Sequence, residues 1–166
     1  MTAVSRATLQ ELASLASVPG YDRSRLSAGI VHFGVGNFHR AHQAVYLDDL
    51  FATGEGHEWA VTGVSTRAED AAHRADLVAQ DTLYTVTEVD EGVERTRVVG
   101  SIVSYAEPAD RAAILAALTA LQTRIVTLTV TEGGYYMHGD APDLRHPDLV
   151  RDAADLGKAS SVFGLI

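Results

Sequence analysis

One stretch limits what this chain can become: Ile30-Val31-His32-Phe33-Gly34-Val35-Gly36-Asn37-Phe38-His39-Arg40-Ala41-His42. A short apolar run, the pattern of a buried strand, passes directly into a Gly-x-Gly turn and then into a helical pattern. A strand, a glycine turn and a helix N-terminus in that order form a site for a diphosphate. Gly34 permits the tight turn, and Gly36 lets the main chain approach the phosphates. Around Val35, Asn37 and Phe38 the N–H groups and the positive end of the helix dipole face the anion. Dinucleotide binding is the first expectation. His39 stands where the usual fingerprint has its third glycine, and a bare Gly-x-Gly also marks ordinary strand-to-helix turns.

The rest of the chain fits an α/β alternation. Residues 6–16 place Leu9, Leu12, Ala13 and Ala16 on one helical face, and Pro19 and Gly20 mark a loop after them. Residues 38–51 read as one helix that is apolar on several sides, which predicts burial on several sides. Trp59 to Val64 reads as a second buried strand. Arg67 to Gln80 reads as a helix with acidic residues in its first turn, where the dipole favours them. Leu83 to Val89 and Val93 to Val99 alternate as strands around Asp90-Glu91-Gly92, which predicts an antiparallel hairpin with a three-residue loop. Pro108 precedes a helix carrying Ile114, Leu115, Leu118 and Leu121. Arg124 to Val130 reads as the third buried strand, 137–148 as a loop and 149–156 as a short helix. The expectation is a Rossmann-like α/β fold: a parallel sheet with helices on both faces, right-handed crossovers and an added antiparallel hairpin. Residues 1–29 would form an N-terminal helix and loop, and 30–166 a truncated nucleotide-binding domain. The apolar end, Val162-Phe163-Gly164-Leu165-Ile166, reads as a segment to be buried by something that follows it.

Composition removes several function classes. The 166 residues carry a formal charge of -9 and no basic run, which disfavours nucleic acid and anionic membrane as partners. Cysteine is absent, so disulfides, thiolate catalysis and Cys-ligated zinc are excluded. No apolar run reaches the ~20 residues needed to span a bilayer, and residues 1–16 lack a signal-peptide core. The expected location is the cytoplasm.

Two motifs in combination, Gly34-Val35-Gly36-Asn37-Phe38-His39-Arg40-Ala41-His42-Gln43 and Thr131-Glu132-Gly133-Gly134-Tyr135, resemble the mannitol dehydrogenase family of polyol-specific long-chain dehydrogenases. Gly63-Val64-Ser65-Thr66-Arg67, Gln80-Asp81-Thr82-Leu83-Tyr84-Thr85 and Val99-Gly100-Ser101-Ile102 extend the resemblance, which runs from about Ile30 to Ile166. It implies an N-terminal nucleotide-binding domain followed by a large helical domain, of which only part of the first lies here. It also implies metal-independent interconversion of a polyol and a ketose with a nicotinamide cofactor, mannitol and fructose foremost. The family's catalytic Lys, with Asn and His partners, lies far downstream of this segment. The segment alone would then be inactive, and would associate with the missing domain or with itself. The alternatives are a fructuronate-type hexuronate reductase of the same family and a non-catalytic nucleotide-binding module, with a methyltransferase behind them.

Further site residues follow. Glu69 and Asp70, after the second strand, can accept hydrogen bonds from the adenosine ribose hydroxyls and repel a 2′-phosphate, which favours NAD over NADP. Arg67 can hold a 2′-phosphate and argues the other way. The ordinary alternative is an acid pair serving the helix dipole. Glu132, at the carboxyl end of the third strand, stands where open parallel sheets bind ligands and could relay a proton; equally, it could orient the Gly133-Gly134 turn. His39 and His42 have a spacing that could ligate metal, but no third ligand is evident, so structural or cofactor-adjacent roles are expected. Lys158, the single lysine, reads as a solvated surface residue.

Overall fold

A computed structural model describes residues 3–65, 71–107, 109–129, 132–159 and 161–166, with the side chains of 71, 72, 132 and 133 outside that description. In chain order the strands are β1 (Ile30–Phe33), β2 (Val61–Val64), β3 (Tyr84–Asp90), β4 (Val93–Val99), β5 (Ile102–Ala106), β6 (Ile125–Leu128), β7 (Met137–His138) and β8 (Ala141–Pro142). The helices are α1 (Leu9–Leu12), α2 (Asn37–Ala41), α3 (Gln43–Ala52), α4 (Ala71–Ala79), α5 (Arg111–Leu118), α6 (Pro147–Ala154) and α7 (Val162–Leu165). Four strands form one parallel sheet in the order β5-β2-β1-β6, and β3 and β4 form a separate antiparallel hairpin. The expected sheet and hairpin are therefore present.

Side chains alternate across β1 and build two apolar layers. On one face Ile30 joins Val35, Ala44, Val45, Val61, Leu77, Tyr84, Val99 and Ile102, so α3, α4 and the base of the hairpin cover that side. On the other, Val31 and Phe33 join Val64, Ala106, Ile114 and Leu165, beneath α5 and α7. Helices lie on both faces because β1 and β2 are buried at every position, the signature of interior parallel strands.

The structure corrects several local expectations. The stretch 38–51 is two helices, broken at His42, whose φ of -124° and ψ of -86° are not helical. Ala44, Val45 and Phe51 are buried, whereas Phe38 and Tyr46 are each 67% exposed, so the apolar residues away from the sheet stay uncovered. The residue 6–16 helix shrinks to a 3-10 turn and the four residues of α1. The hairpin loop has two residues, because Asp90 pairs with Val93 while Glu91 (φ 47°) and Gly92 (φ 82°) make the turn; positive φ at both central positions is the turn that suits strand twist. β5, the run Ile102-Val103-Ser104-Tyr105-Ala106, is a strand beyond the sequence expectation. Among the described residues β6 has a neighbour on one side only, and its Ile125, Val126 and Leu128 are exposed and not buried. The loop expected over 137–148 contains the small β7–β8 ribbon. Pro108 lies outside the described residues; α5 is instead capped by Asp110, which accepts from the Ala113 N–H at 2.9 Å.

The N-terminal segment is strapped to the hairpin. Ser17 donates to Thr96 O and accepts from Val98 N. The Arg23 guanidinium donates to the carbonyls of Gly100, Asp81 and Ile102 and to Thr82 Oγ1. At the centre is Asp48, buried on α3, which accepts from the Tyr21 hydroxyl, from Gly100 N at 2.8 Å and from Arg97 Nη2 at 2.8 Å. Burial, with the Asp48 carboxylate beside it, pushes the Tyr21 phenol well above its usual range, so it stays a donor. Arg97 also reaches Asp49, whose side chain is 57% exposed. Removing one member of a buried charged network leaves the others desolvated and unpaired. Asp48→Ala is expected to lower the unfolding free energy by about 3 kcal/mol or more, and Asp49→Ala by less than about 1 kcal/mol. Urea denaturation of the two variants against wild type measures the difference.

Candidate dinucleotide site

The site lies where β1 leaves the sheet. Gly34 has φ +93°, and a Cβ there would lie 2.8 Å from the Thr129 carbonyl oxygen. Both facts require glycine: the left-handed region is costly for other residues, and the chain after β6 leaves no room. Gly36 differs. Its φ is -84° and its ψ -174°, ordinary extended values. A Cβ there would meet nothing closer than the Gly34 oxygen at 4.0 Å. The protein's own packing thus leaves open the space in front of Gly36, where the sequence expectation puts a dinucleotide's phosphates. The Gly36 N–H is not free for them, because it donates to Gly34 O at 2.7 Å. Asn37 and Phe38 are among the first helical residues, whose N–H groups lack an intrahelical acceptor; the first such bond is Arg40 N to Gly36 O. Val35 turns its side chain into the core, leaving only its main chain to a ligand. The exposed Phe38 ring stacks on His42 with centroids 4.5 Å apart.

Beneath the turn is a buried polar cluster that sequence reasoning missed. His32 and His39 are both fully buried and stacked, with centroids 3.6 Å apart and planes 14° from parallel. His32 lies opposite Thr127 in the parallel register of β1 and β6. Its Nδ1 is 2.7 Å from Thr127 Oγ1, and its Nε2 is 3.0 Å from Thr129 Oγ1 and 3.3 Å from the Gly34 oxygen. Thr129 Oγ1 donates to Gly34 O at 2.5 Å. His39 Nδ1 is 3.2 Å from Gln43 Oε1, while its Nε2 is buried without a partner. A legible signal existed: His32 on β1, and Thr127 and Thr129 on and just after β6, sit at period-two positions with polar groups among apolar neighbours.

Arg40, one turn into α2, is also held near the glycine turn. Its Nη2 is 2.5 Å from Asn37 Oδ1 and 2.5 Å from His73 Nε2 on α4, and its guanidinium carbon is 5.6 Å from the Tyr84 ring centroid. The Tyr84 hydroxyl donates to the Arg40 carbonyl at 2.8 Å. His39 and His42 do not converge on a common point: one is buried against β1, the other is exposed and bonded to Phe38 O. Lys158 is exposed and paired with Asp155 at 3.1 Å. Glu132 opens a 3-10 turn, Glu132–Tyr135, after β6, and its side chain is outside the description. Arg67, Glu69 and Asp70 lie outside the described residues, so the acid-pair reading is carried by sequence alone.

Burial holds both stacked imidazoles below the usual range. His32 is lowered to about 4, against a smaller opposing effect of the Gly34 carbonyl. His39 is lowered to about 3, by burial first and then by the neighbouring His32 ring. In the unfolded chain each would titrate near 6.5. Between about 6.5 and 4 the unfolded state therefore binds more protons than the folded one, and stability falls as pH drops through that window. The slope is up to about 1.4 kcal/mol per pH unit for each histidine, and neither contributes a slope above the window. Urea midpoints at pH 7.5 and pH 5 should differ accordingly, and the difference should shrink when His39 is replaced by Phe.

The comparisons with known proteins fall on this geometry. The family model described as the mannitol dehydrogenase Rossmann domain matches residues 28–162. The chain is 55% identical over 150 residues to a mannitol 2-dehydrogenase of Cereibacter sphaeroides, covering 89% of this chain and 31% of that protein. It is 41% identical over 154 residues to a mannitol 2-dehydrogenase of Pyricularia oryzae, covering 90% of this chain and 31% of that one. Among solved structures, Pseudomonas fluorescens mannitol 2-dehydrogenase in a ternary complex with NAD and D-mannitol superposes with a TM-score of 0.92 at 38% identity, covering 98% of this chain and 34% of that one. A D-sorbitol dehydrogenase in substrate-free form gives a TM-score of 0.89 at 37% identity. The chain spans about a third of the length of these relatives. On the matched span, which includes the glycine turn and the whole parallel sheet, the chain belongs to the mannitol dehydrogenase family, whose Rossmann domain it carries.

Proposed function

We propose that this chain is the NAD-binding part of a metal-independent oxidoreductase that interconverts a polyol and a ketose, with mannitol and fructose as the pair. The observation that carries the reading is the open face at Gly36, where an added Cβ meets nothing closer than 4.0 Å although conformation does not demand glycine. The likeness to a mannitol 2-dehydrogenase holding NAD supports it. NAD held by the Gly34–Phe38 turn would supply a hydride acceptor for the carbinol carbon, and the hydroxyl proton would pass to the lysine base in the remaining length of the protein.

The residues of this chain do the binding. The turn from Gly34 to Phe38 presents the Asn37 and Phe38 N–H groups to the diphosphate. Glu69 and Asp70 accept from the ribose hydroxyls and disfavour a 2′-phosphate, outweighing Arg67. Glu132 passes a proton at the carboxyl end of β6. Substrate recognition and the lysine base belong to the remaining length of the protein, which also covers the apolar residues left exposed on α2, α3 and β6. The protein acts in the cytoplasm; among the described residues no helix is long and apolar enough to cross a membrane.

The Cβ that Gly36→Val adds meets nothing closer than 4.0 Å in the folded chain, and the variant places two methyl groups in the proposed phosphate path. Its NADH dissociation constant, read by titration calorimetry, should rise at least tenfold while its urea midpoint stays near wild type. Wild-type affinity in that variant would remove the phosphates from this turn. Replacing both Glu69 and Asp70 with Ala should tighten binding of NADPH relative to NADH. The ratio of the two dissociation constants is the measurement, and an unchanged ratio would mean that the acids only serve the helix.

A further inference from the structure

The Gly34 carbonyl oxygen collects unusual support. Gly36 N donates to it at 2.7 Å, Thr129 Oγ1 donates at 2.5 Å, and His32 Nε2 stands 3.3 Å away. A carbonyl has two lone pairs, so the first two bonds saturate it. His32 Nε2 then directs its hydrogen mainly at Thr129 Oγ1, 3.0 Å away. The hydroxyl thus accepts from the ring and donates to the turn. The chain of bonds fixes the tautomer of His32: hydrogen on Nε2, with a bare Nδ1 that accepts from the Thr127 hydroxyl at 2.7 Å. His39 follows by the same logic. Its Nδ1 faces Gln43 Oε1 at 3.2 Å, an acceptor, so Nδ1 carries the hydrogen. Nε2, buried and without a partner, is then a bare lone pair and not an orphaned donor.

The stack spans the turn. His32 belongs to β1, before the glycines; His39 belongs to α2, after them. Their contact at 3.6 Å ties the two ends of the Gly34–Phe38 segment directly together, and Gln43 extends the tie to α3. Thr127 and Thr129 grip it from β6. We propose that the His32–His39 stack, acting through Thr129 on the Gly34 carbonyl, is the positioning element that sets the Asn37 and Phe38 N–H groups for the dinucleotide diphosphate. The inference rests on the NAD-binding reading for its ligand, though not for its internal coupling. His32 and His39 are fully buried, so they act through the peptide plane that follows Gly34. Phosphate sites of this kind work by preorganised N–H groups, and the glycines that allow the turn cannot hold it still, since glycine is the most permissive residue. The strut supplies the rigidity that the glycines lack.

The test uses the 166-residue chain with NADH as probe. Thr129→Val keeps the shape and removes the hydroxyl; Thr129→Ser restores it; His39→Phe keeps a stacked ring and removes the bond to Gln43. The NADH dissociation constant should rise at least tenfold in Thr129→Val and in His39→Phe, and return to within threefold of wild type in Thr129→Ser. The amide resonances of Asn37 and Phe38 should shift in the first two variants and return in the third. Wild-type affinity and unmoved amides in both weakened variants would overturn the proposal. If wild type itself binds no NADH while the amides still shift and recover, the coupling stands and the NAD-binding reading falls. Should the variants fail to fold, nitrogen-15 spectra of wild-type imidazoles decide: hydrogen on Nε2 of His32 and on Nδ1 of His39 supports the strut, and the opposite tautomer at His32 overturns it.

Discussion

The structure depends on the close passage of the chain at Gly34 beside Thr129. There the main chain of β1 leaves the sheet with a left-handed φ of +93°, and a side chain would lie 2.8 Å from the Thr129 oxygen. β1 is an interior strand with parallel β2 on one side and β6 on the other, so the chain cannot fold back beside it within the sheet. It must turn at once into a helix over one face. That single turn decides that α2 and α3 lie on the Ile30 side of the sheet, and it leaves the site at the carboxyl ends of the parallel strands, where such sheets bind ligands.

Polar groups inside this domain work by being shared. Asp48 serves Tyr21, Arg97 and Gly100 together, and Arg23 closes the ends of several chain segments. The two buried histidines join β1, β6, α2 and α3. Each such group is costly to bury alone and stabilising only when its partners are all in place. They therefore fix which segments lie together, a specificity that the apolar layers on the two faces, made of interchangeable Val, Ile and Leu, do not provide. The same arrangement makes the interior below the glycine turn sensitive to acid, because neutral imidazole is the form the network accommodates.

Apolar surface remains on the outward side of the Phe38–Phe51 stretch and along β6, with Phe38, Tyr46, Ile125 and Leu128 among the exposed residues. Clustered exposure of this kind marks surface meant for contact. The apolar count on this stretch was readable from the sequence, but a pattern of several apolar sides does not say which side the sheet covers. The break at His42 settles that: it rotates α3 so that Ala44, Val45, Asp48 and Phe51 face inward, and leaves Phe38 and Tyr46 outside.

The sequence by itself determined the local grammar. The glycine turn at Gly34 and Gly36, the apolar runs of β1 and β2, the place of the hairpin turn though not its length, and the helical spacing of Ile114 and Leu118 were legible because each depends on residues a few positions apart. So was the family, because its motifs are contiguous. The tertiary structure alone decided the rest. It placed β5 beside β2 and buried Asp48. It also stacked His32 on His39, seven residues apart in the chain but on different elements, against Thr127 and Thr129 from nearly a hundred residues away. Hydrophobic periodicity reports which side of an element is covered; it carries no record of what covers it. A polar residue at a buried position is read as an irregularity until the partners that satisfy it are brought in by the fold.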